Sequence, residues 1–219
     1  MDSMKYQAVI FDLDGTLLDT LEDLADSVNA ILAELNLPLH SLADYRYHVG
    51  KGMRSLITNV LPAEARSDKL IDECIDRMFA EYGKRWDAKT HPYDGVPELL
   101  ETLTAHNIPM SIVSNKEHHF TLRVTEKFLG RWKFRAVFGE REGVARKPDP
   151  VSLLEAAKIM GLGCEDIICL GDSGSDMTAA VNAGMHPVGA LWGFRDAQEL
   201  IAGGAKILVK YPVEVAGLF

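Results

Sequence analysis

Short apolar runs alternate with amphipathic stretches along most of this chain. The apolar runs have the length of buried strands and lie at residues 8–11, 110–113, 136–138, 167–170, 188–191 and 206–209. Most of them are separated by helical patterns at residues 96–106, 116–128, 150–160 and 175–183. Strands that alternate with helices of this length predict an α/β fold, with a doubly wound parallel (Rossmann-like) sheet.

One interval, residues 20–90, contains no convincing strand. Leu21, Leu24, Val28 and Ile31 recur there at helical spacing. The interval is far longer than an ordinary connection between two strands. We therefore predict an inserted all-helical cap at 20–90 and a core domain formed by 1–19 and 91–219. Both ends of the insertion adjoin the predicted active edge, so we expect the cap to act as a moving lid.

Two acids follow the first predicted strand directly. Asp12 and Asp14 stand at its carboxyl end, where open α/β sheets place their ligand sites, and Gly15 permits a tight turn. One carboxylate is suited to attack phosphorus, and the other to transfer a proton. The predicted chemistry is phosphoryl transfer through an aspartyl-phosphate.

A second pair of acids follows a later strand. Asp172 stands at the carboxyl end of the strand predicted at 167–170, as Asp12 stands at the end of the first strand, and Asp176 comes four residues later. Converging carboxylates repel one another and an incoming phosphate, which a bound Mg²⁺ would relieve. For Asp176, a favourable charge at a helix N-terminus is an equally good interpretation.

Three polar residues are candidates for binding the phosphoryl group. Ser114 and Asn115 end an apolar run and are predicted to open a helix, where a hydroxyl and backbone N–H groups bind phosphate. Helix capping alone also explains them. Lys147 precedes Pro148, whose ring restricts the backbone, so it is suited to present a fixed positive charge. The alternative is an exposed loop lysine.

A glycine-flanked loop lies inside the predicted cap. Lys51 stands between Gly50 and Gly52, and Arg54 follows closely. If the insertion is a lid, Lys51 or Arg54 would reach the non-reacting end of the substrate, with Gly52 allowing close approach. A plain helix-to-helix turn with solvated charges is the alternative.

The composition limits the classes of molecule that this protein is expected to bind. The 219 residues carry 23 Lys and Arg against 32 Asp and Glu, a net charge of −9, which argues against nucleic acid or an anionic membrane as partner. Three cysteines without paired or metal-binding spacing favour a reducing cytoplasm. We find no secretion signal and no apolar run of the ~20 residues that a membrane helix needs. The expected partner is a small phosphorylated substrate, and either a monomer or a homodimer is compatible.

Other interpretations of the acidic turn fail on spacing. An EF-hand loop needs a glutamate twelve residues into the loop and glycine at position six, and neither is present when Asp12 is counted as position one. The chain also contains no P-loop and no strand–GxGxxG–helix unit.

The motifs together resemble those of the haloacid dehalogenase-like hydrolases. Residues 12–20 (DLDGTLLDT) look like the first motif of that family, 114–116 (SNK) like the second, 147–148 (KP) like the third and 171–176 (GDSGSD) like the fourth. Their order agrees, and a helical insertion between the first two motifs resembles the first cap type of the family.

The resemblance implies roles for these residues. Asp12 would be the nucleophile, and Asp14 the general acid and base. Mg²⁺ would be held by Asp12, the backbone carbonyl of Asp14 and Asp172, with Asp176 supporting. In the same way, Ser114, Asn115 and Lys147 would bind the phosphoryl group.

Within the family, residues 19–25 and the Gly50-x-Gly52 loop are similar to those of phosphoglycolate phosphatases. A β-phosphoglucomutase-like mutase, a phosphonoacetaldehyde hydrolase with Lys51 as Schiff base, and a pyrophosphatase are the alternatives. A non-enzymatic, receiver-like phosphate-binding module is disfavoured, because it needs neither a positioned acid at Asp14 nor a large lid.

Overall fold

A computed structural model describes residues 6–219. In chain order its strands are β1 Ala8–Phe11, β2 Leu18–Asp19, β3 His91–Pro92, β4 Met110–Glu117, β5 Val137–Glu140, β6 Ile167–Gly171, β7 His186–Ala190 and β8 Ile207–Val209. The helices are α1 Leu21–Glu34, α2 Leu42–His48, α3 Met53–Val60, α4 Asp68–Arg85, α5 Val96–Ala105, α6 His118–Leu129, α7 Val151–Met160, α8 Gly174–Asn182 and α9 Ala197–Ala202. Short 3₁₀ turns lie at Ala63–Ala65, Cys164–Asp166 and Pro212–Leu218.

Six strands form one parallel sheet in the order β5-β4-β1-β6-β7-β8. All four residues of β1 are buried, and they alternate between two hydrophobic layers. Val9 and Phe11 belong to one layer, and Ala8 and Ile10 belong to the other. A continuous apolar run is typical of a parallel strand that is covered on both faces. The predicted α/β fold with a doubly wound parallel sheet is confirmed.

The largest departure from the predicted elements lies at β4. This strand continues to Glu117, and α6 begins only at His118, two residues later than the sequence pattern indicated. The Glu117 carboxylate accepts a hydrogen bond from the backbone N–H of Phe120 at 3.0 Å and caps the helix. The prediction that Ser114 and Asn115 open a helix was therefore wrong.

Between β2 and β3 the chain is helical, and α1 to α4 supply most of a second hydrophobic cluster, which Phe120 and Phe194 complete. Leu18 pairs with Pro92 and Asp19 with His91 in an antiparallel ribbon, which brings the two ends of this helical segment together. The buried carboxylate of Asp23 in α1 accepts hydrogen bonds from the backbone N–H groups of Lys89 and Thr90. Helix α1 is thereby fixed to the returning chain.

Over residues 6–219 we find no helix with the length and apolar character needed to cross a membrane. The three cysteines, Cys74, Cys164 and Cys169, are free thiols.

Candidate active site

The candidate functional side chains converge where β1 and β6 end beside β4. Because β1 lies between β4 and β6, Asp12, Ser114 and Asp172 stand side by side at the carboxyl edge of the sheet. In this sheet β4 and β5 lie on one side of β1, and β6, β7 and β8 lie on the other. This is the topological switch point at which open α/β sheets bind ligands.

Asp12 and Lys147 form a buried ion pair at this edge. Lys147 Nζ lies 2.8 Å from Asp12 Oδ1 and 2.7 Å from Asp176 Oδ1, and it donates a further hydrogen bond to the Val113 carbonyl at 2.7 Å. Burial by itself lowers the pKa of Lys147, but the charges of Asp12 and Asp176 outweigh it and raise that pKa. The ammonium group therefore stays charged although it is buried, and it lies beside the predicted nucleophile; the alternative of an exposed loop lysine does not hold.

Three carboxylates at this edge are arranged as ligands for a hard cation. Asp12, Asp172 and Asp176 each offer an oxygen within 4.8 Å of the others. Burial and the nearby charge of Asp176 raise the pKa of Asp12 to about 7, in spite of Lys147. Burial and the charges of Asp12 and Asp176 also raise the pKa of Asp172. One lysine thus leaves excess negative charge, and an all-oxygen donor set fits Mg²⁺.

Asp172 is held firmly in this cluster. Its Oδ1 accepts a hydrogen bond from the Thr16 hydroxyl at 3.1 Å, and its Oδ2 accepts one from the Phe194 N–H at 2.8 Å. Gly15 has a φ of +86°, and a Cβ atom there would lie 2.3 Å from Asp172 Oδ2. The tight turn predicted after Asp14 therefore also needs glycine to leave room for this carboxylate.

Asp14 faces away from the carboxylate cluster. Its Oδ1 accepts hydrogen bonds from the Thr20 hydroxyl at 2.7 Å and from Lys116 Nζ at 3.0 Å. Among residues 6–219, no group donates a hydrogen bond to Asp14 Oδ2. An acid held through one oxygen, with the other open to the cleft, suits proton transfer.

Asp176 fits both interpretations of its position. Its Oδ2 accepts hydrogen bonds from the backbone N–H and the hydroxyl of Ser173, which completes a capping box at the start of α8. Its Oδ1 meanwhile contacts Lys147 and belongs to the carboxylate cluster. The same side chain caps a helix and shapes the candidate metal site.

The sequence model of the haloacid dehalogenase-like hydrolases matches residues 9–190, which include all four strand-end motifs. The chain belongs to this family. Its curated relatives include a phosphoglycolate phosphatase from Xanthomonas campestris, 34% identical over 213 residues that make up 95% of this chain and 94% of the relative. A second phosphoglycolate phosphatase, from Chromobacterium violaceum, is 31% identical, and the match covers 100% of this chain and 98% of that relative.

Solved structures share the fold of this chain. The crystal structure of a protein from Lactobacillus delbrueckii subsp. bulgaricus has a TM-score of 0.90 to this chain at 27% identity. The match covers 97% of this chain and 98% of that protein. A haloacid dehalogenase-like family protein from Streptococcus pneumoniae has a TM-score of 0.86, with coverage of 97% and 98%. At 22% identity the second likeness concerns the fold alone.

In this member of the haloacid dehalogenase-like family, the side chain of Asn115 is already occupied. Its Oδ1 accepts a hydrogen bond from the Lys147 N–H at 2.9 Å, and its Nδ2 donates to the carbonyls of Lys147 and Gly50. The side-chain amide therefore positions Lys147, and the role of Asn115 in binding the phosphoryl group stays a prediction. Ser114 lines the cleft, and its role in binding the phosphoryl group stays a prediction.

The cleft above Asp12 is walled mainly by apolar groups. Helices α1 to α4 and their loops contribute seven lining residues, which are Leu24, Val49, Gly50, Gly52, Met53, Leu56 and Tyr82. Phe120 of α6 completes the apolar wall. Lys116 and Glu117 add charged groups to the β4 side of the same cleft.

Arg54, predicted to recognise the substrate, lies outside the cleft in this structure, and its recognition role stays a prediction. Arg54 Nη2 contacts Asp72 at 2.6 Å on the outer surface, and Asp68 lies 3.6 Å from Nη1. Neither Arg54 nor the exposed Lys51 is among the cleft-lining residues, whereas Gly52 is. Opposite charges on the neighbouring helix α4 draw the arginine outward, and the spacing of the loop alone did not reveal them.

Sequence reasoning overlooked Lys116 as a functional residue, because it placed this lysine on a helix. In the structure Lys116 is the last residue but one of β4, pairs with Asp14 and lies 4.7 Å from the ring centroid of Tyr82 in α4. The available signal was its place directly after Ser114 and Asn115 in the second motif. Tyr82 gave no signal beyond a helical apolar pattern.

Proposed function

We propose that this hydrolase is a Mg²⁺-dependent phosphatase that cleaves small phosphomonoesters through an aspartyl-phosphate, with phosphoglycolate as the leading substrate. The observation that carries the proposal is the pairing of Asp12 with Lys147 beside a carboxylate cluster. A second acid, Asp14, stands two residues further on the same turn. The phosphoglycolate phosphatases among the curated relatives support the choice of substrate.

Two displacements at phosphorus complete the proposed reaction. An Asp12 carboxylate oxygen attacks phosphorus and the bond to the alcohol oxygen breaks, while Asp14 gives that oxygen a proton. Asp14 then takes a proton from water, whose oxygen attacks the aspartyl-phosphate. The bond between Asp12 and phosphorus breaks, and inorganic phosphate and the free carboxylate result.

Neutralisation of charge makes the first attack feasible. Lys147 offsets the charge of Asp12 and of the transferring phosphoryl group from a fixed position. Asp12, Asp172 and Asp176 would hold Mg²⁺, together with the backbone carbonyl of Asp14. When bound, the cation draws negative charge from the carboxylate and from a phosphoryl oxygen.

We also propose that residues 20–90 form the cap domain and that 1–19 and 91–219 form the core; residues 1–5 of that core lie outside the described part of the chain. The hydrophobic cluster formed mainly by α1 to α4 and the ribbon at their base support this division. A cytoplasmic enzyme, either monomeric or homodimeric, is the setting that the composition favours.

The alternative activities lose their supporting residues. A phosphonoacetaldehyde hydrolase needs a cap lysine at the reacting centre, but Lys51 is exposed and outside the cleft lining. The mutase interpretation relied on Lys51 and Arg54 as ligands of a sugar phosphate, and Arg54 is paired with Asp72.

The test compares two isosteric variants on phosphoglycolate and p-nitrophenyl phosphate with Mg²⁺. Asp12→Asn should abolish phosphate release from both esters, since an amide is not a nucleophile. Asp14→Asn should still release nitrophenolate, which needs no proton to leave, in a burst of about one equivalent per site before slow turnover.

Asp87→Asn, an exposed acid paired with Lys127, serves as the control and should retain wild-type rates. Phosphate release by Asp12→Asn at the wild-type rate would refute the proposed nucleophile. A wild-type enzyme that interconverts sugar phosphates without releasing phosphate would refute hydrolysis.

A further inference from the structure

A tetrapeptide after β7, residues 192–195, is anchored to the active site at several points. Trp192 Nε1 donates a hydrogen bond to the Thr16 carbonyl at 2.9 Å. The Phe194 N–H donates to Asp172 Oδ2 at 2.8 Å. Gly193 packs so closely that a Cβ atom there would lie 2.3 Å from Cβ of Asp172. The backbone that carries Arg195 is thus fixed to the first and fourth motifs.

From this anchored backbone, Arg195 reaches the helical segment. Its side chain is 4% exposed, and Nη2 donates hydrogen bonds to the carbonyls of Val49 at 2.8 Å and Tyr47 at 3.3 Å. These carbonyls lie at the end of α2, where backbone oxygens lack partners within the helix. Nε lies 3.2 Å from Glu199 Oε2, and this ion pair orients the guanidinium from the core side.

A second donor holds the next carbonyl of the same loop. Asn115 Nδ2 donates to the Gly50 carbonyl at 3.1 Å, directly after the carbonyl of Val49 that Arg195 holds. Val49, Gly50 and Gly52 all line the cleft. The loop that covers Asp12 is therefore held between a donor after β7 and a donor in β4, on opposite sides of β1.

Apolar packing also connects residues 192–195 to the helical segment. The side chain of Phe194, next to Arg195, is buried within the hydrophobic cluster of α1 to α4 rather than in the sheet layers. A core residue inserted in this cluster ties the two parts together. The charged contact of Arg195 then fixes where the loop 47–52 sits.

We propose that Arg195 is a positioning residue that keeps the loop 47–52 closed over the active site, by holding the Val49 and Tyr47 carbonyls from a backbone fixed to Asp172. Arg195 is absent from the cleft lining, so it acts through the loop and not on the phosphoryl group. The kinetic part of its test rests on the proposed phosphatase activity, and the structural part does not.

Kinetics separate this role from a catalytic or a general structural role. If fewer molecules hold the loop closed, the apparent affinity falls by that fraction while bound substrate still reacts. Arg195→Met, which keeps the stem and deletes the donors, should raise KM about tenfold and change kcat by less than about twofold, since hydrogen bonds from a charged group are lost. Arg195→Lys should recover part of the increase.

Hydrogen–deuterium exchange of the intact protein with Mg²⁺ measures how firmly residues 47–52 are held. Peptides covering 47–52 should exchange faster in Arg195→Met than in wild type, and peptides of β1 and β6 should not change. Arg141→Met is the matched control. Its guanidinium is also partly buried and contacts Glu155 and Ser152, all within the core.

Unchanged KM together with unchanged exchange at 47–52 would overturn the proposal. A fall in kcat at constant KM would also overturn it, because that result indicates a catalytic role or a loss of folded enzyme. If wild-type protein hydrolyses no phosphate ester, the phosphatase assignment fails, and faster exchange at 47–52 in Arg195→Met still decides the positioning role.

Discussion

Lys116 Nζ donates a hydrogen bond to Asp14 Oδ1 over 3.0 Å, and both side chains are largely buried. Burial lowers the pKa of Lys116, but the charge of Asp14 outweighs this effect and the pKa is raised. The lysine therefore stays charged and selects which Asp14 oxygen is held. The other oxygen remains available for the proton that the proposed reaction needs.

Removing this contact should slow catalysis. Lys116→Met leaves Asp14 with the Thr20 hydroxyl as its remaining donor, so the acid loses its fixed orientation. We expect kcat on phosphoglycolate to fall about tenfold to 100-fold, as for a catalytic group displaced by a fraction of an ångström. Steady-state kinetics measure this. Lys158→Met, at an exposed position of α7, is the control, and an unaltered kcat in Lys116→Met would contradict the orientation role.

Asn115 should matter for stability as well as for activity. Asn115→Ala leaves the buried N–H and carbonyl of Lys147 without their side-chain partner. We expect the free energy of unfolding in urea to fall by about 1–3 kcal/mol, the usual cost of an unsatisfied buried polar group. Asn182→Ala is matched, since the exposed Asn182 also donates to a carbonyl of this segment, that of Pro148. Equal losses in both variants would be evidence against a special role for Asn115.

The raised pKa of Asp12 predicts a pH-dependent response to Mg²⁺. Its value of about 7, against an ordinary 3.8, means that without a cation the folded protein keeps a proton that the unfolded chain releases. This group therefore makes the cation-free protein less stable as pH rises from about 4 to about 7. Mg²⁺ needs deprotonated carboxylates, so it should raise the unfolding temperature more at about pH 8 than at about pH 5.

Differential scanning fluorimetry of the wild-type protein with and without Mg²⁺ measures this difference. Asp172→Asn should reduce the response at the higher pH. A response to Mg²⁺ that is equal at both pH values would show that these carboxylates do not bind the cation.

Substitutions of Arg54 and Met53 should differ in their effects on the KM for phosphoglycolate. Arg54 is paired with Asp72 on the outer surface, while Met53 lines the cleft. We expect Arg54→Ala to leave KM for phosphoglycolate within about twofold, since exposed ion pairs contribute little. Met53→Ala should raise KM, because it removes apolar surface from the cleft wall. A large increase in KM for Arg54→Ala would restore the recognition role expected from the sequence.

Strand ends were the most predictable part of the site. Asp12 and Asp172 each follow a fully apolar run, and a parallel sheet brings such positions together at one edge. The end of β4 was not predictable, because residues 114–117 lack an apolar pattern. They stay extended through partners far along the chain, with Asn115 on Lys147 and Lys116 on Asp14.

The sequence by itself determined the candidate chemistry of this protein, namely the acids at strand ends, the lysine before Pro148 and the helical insertion between the first two motifs. These features follow from local patterns of apolar and polar residues. Only the tertiary structure decided that Arg54 faces Asp72, that Lys116 holds Asp14 and that Arg195 holds the Val49 carbonyl. Contacts between residues far apart in the chain depend on how the helical segment packs over the sheet, and local spacing carries no record of that packing.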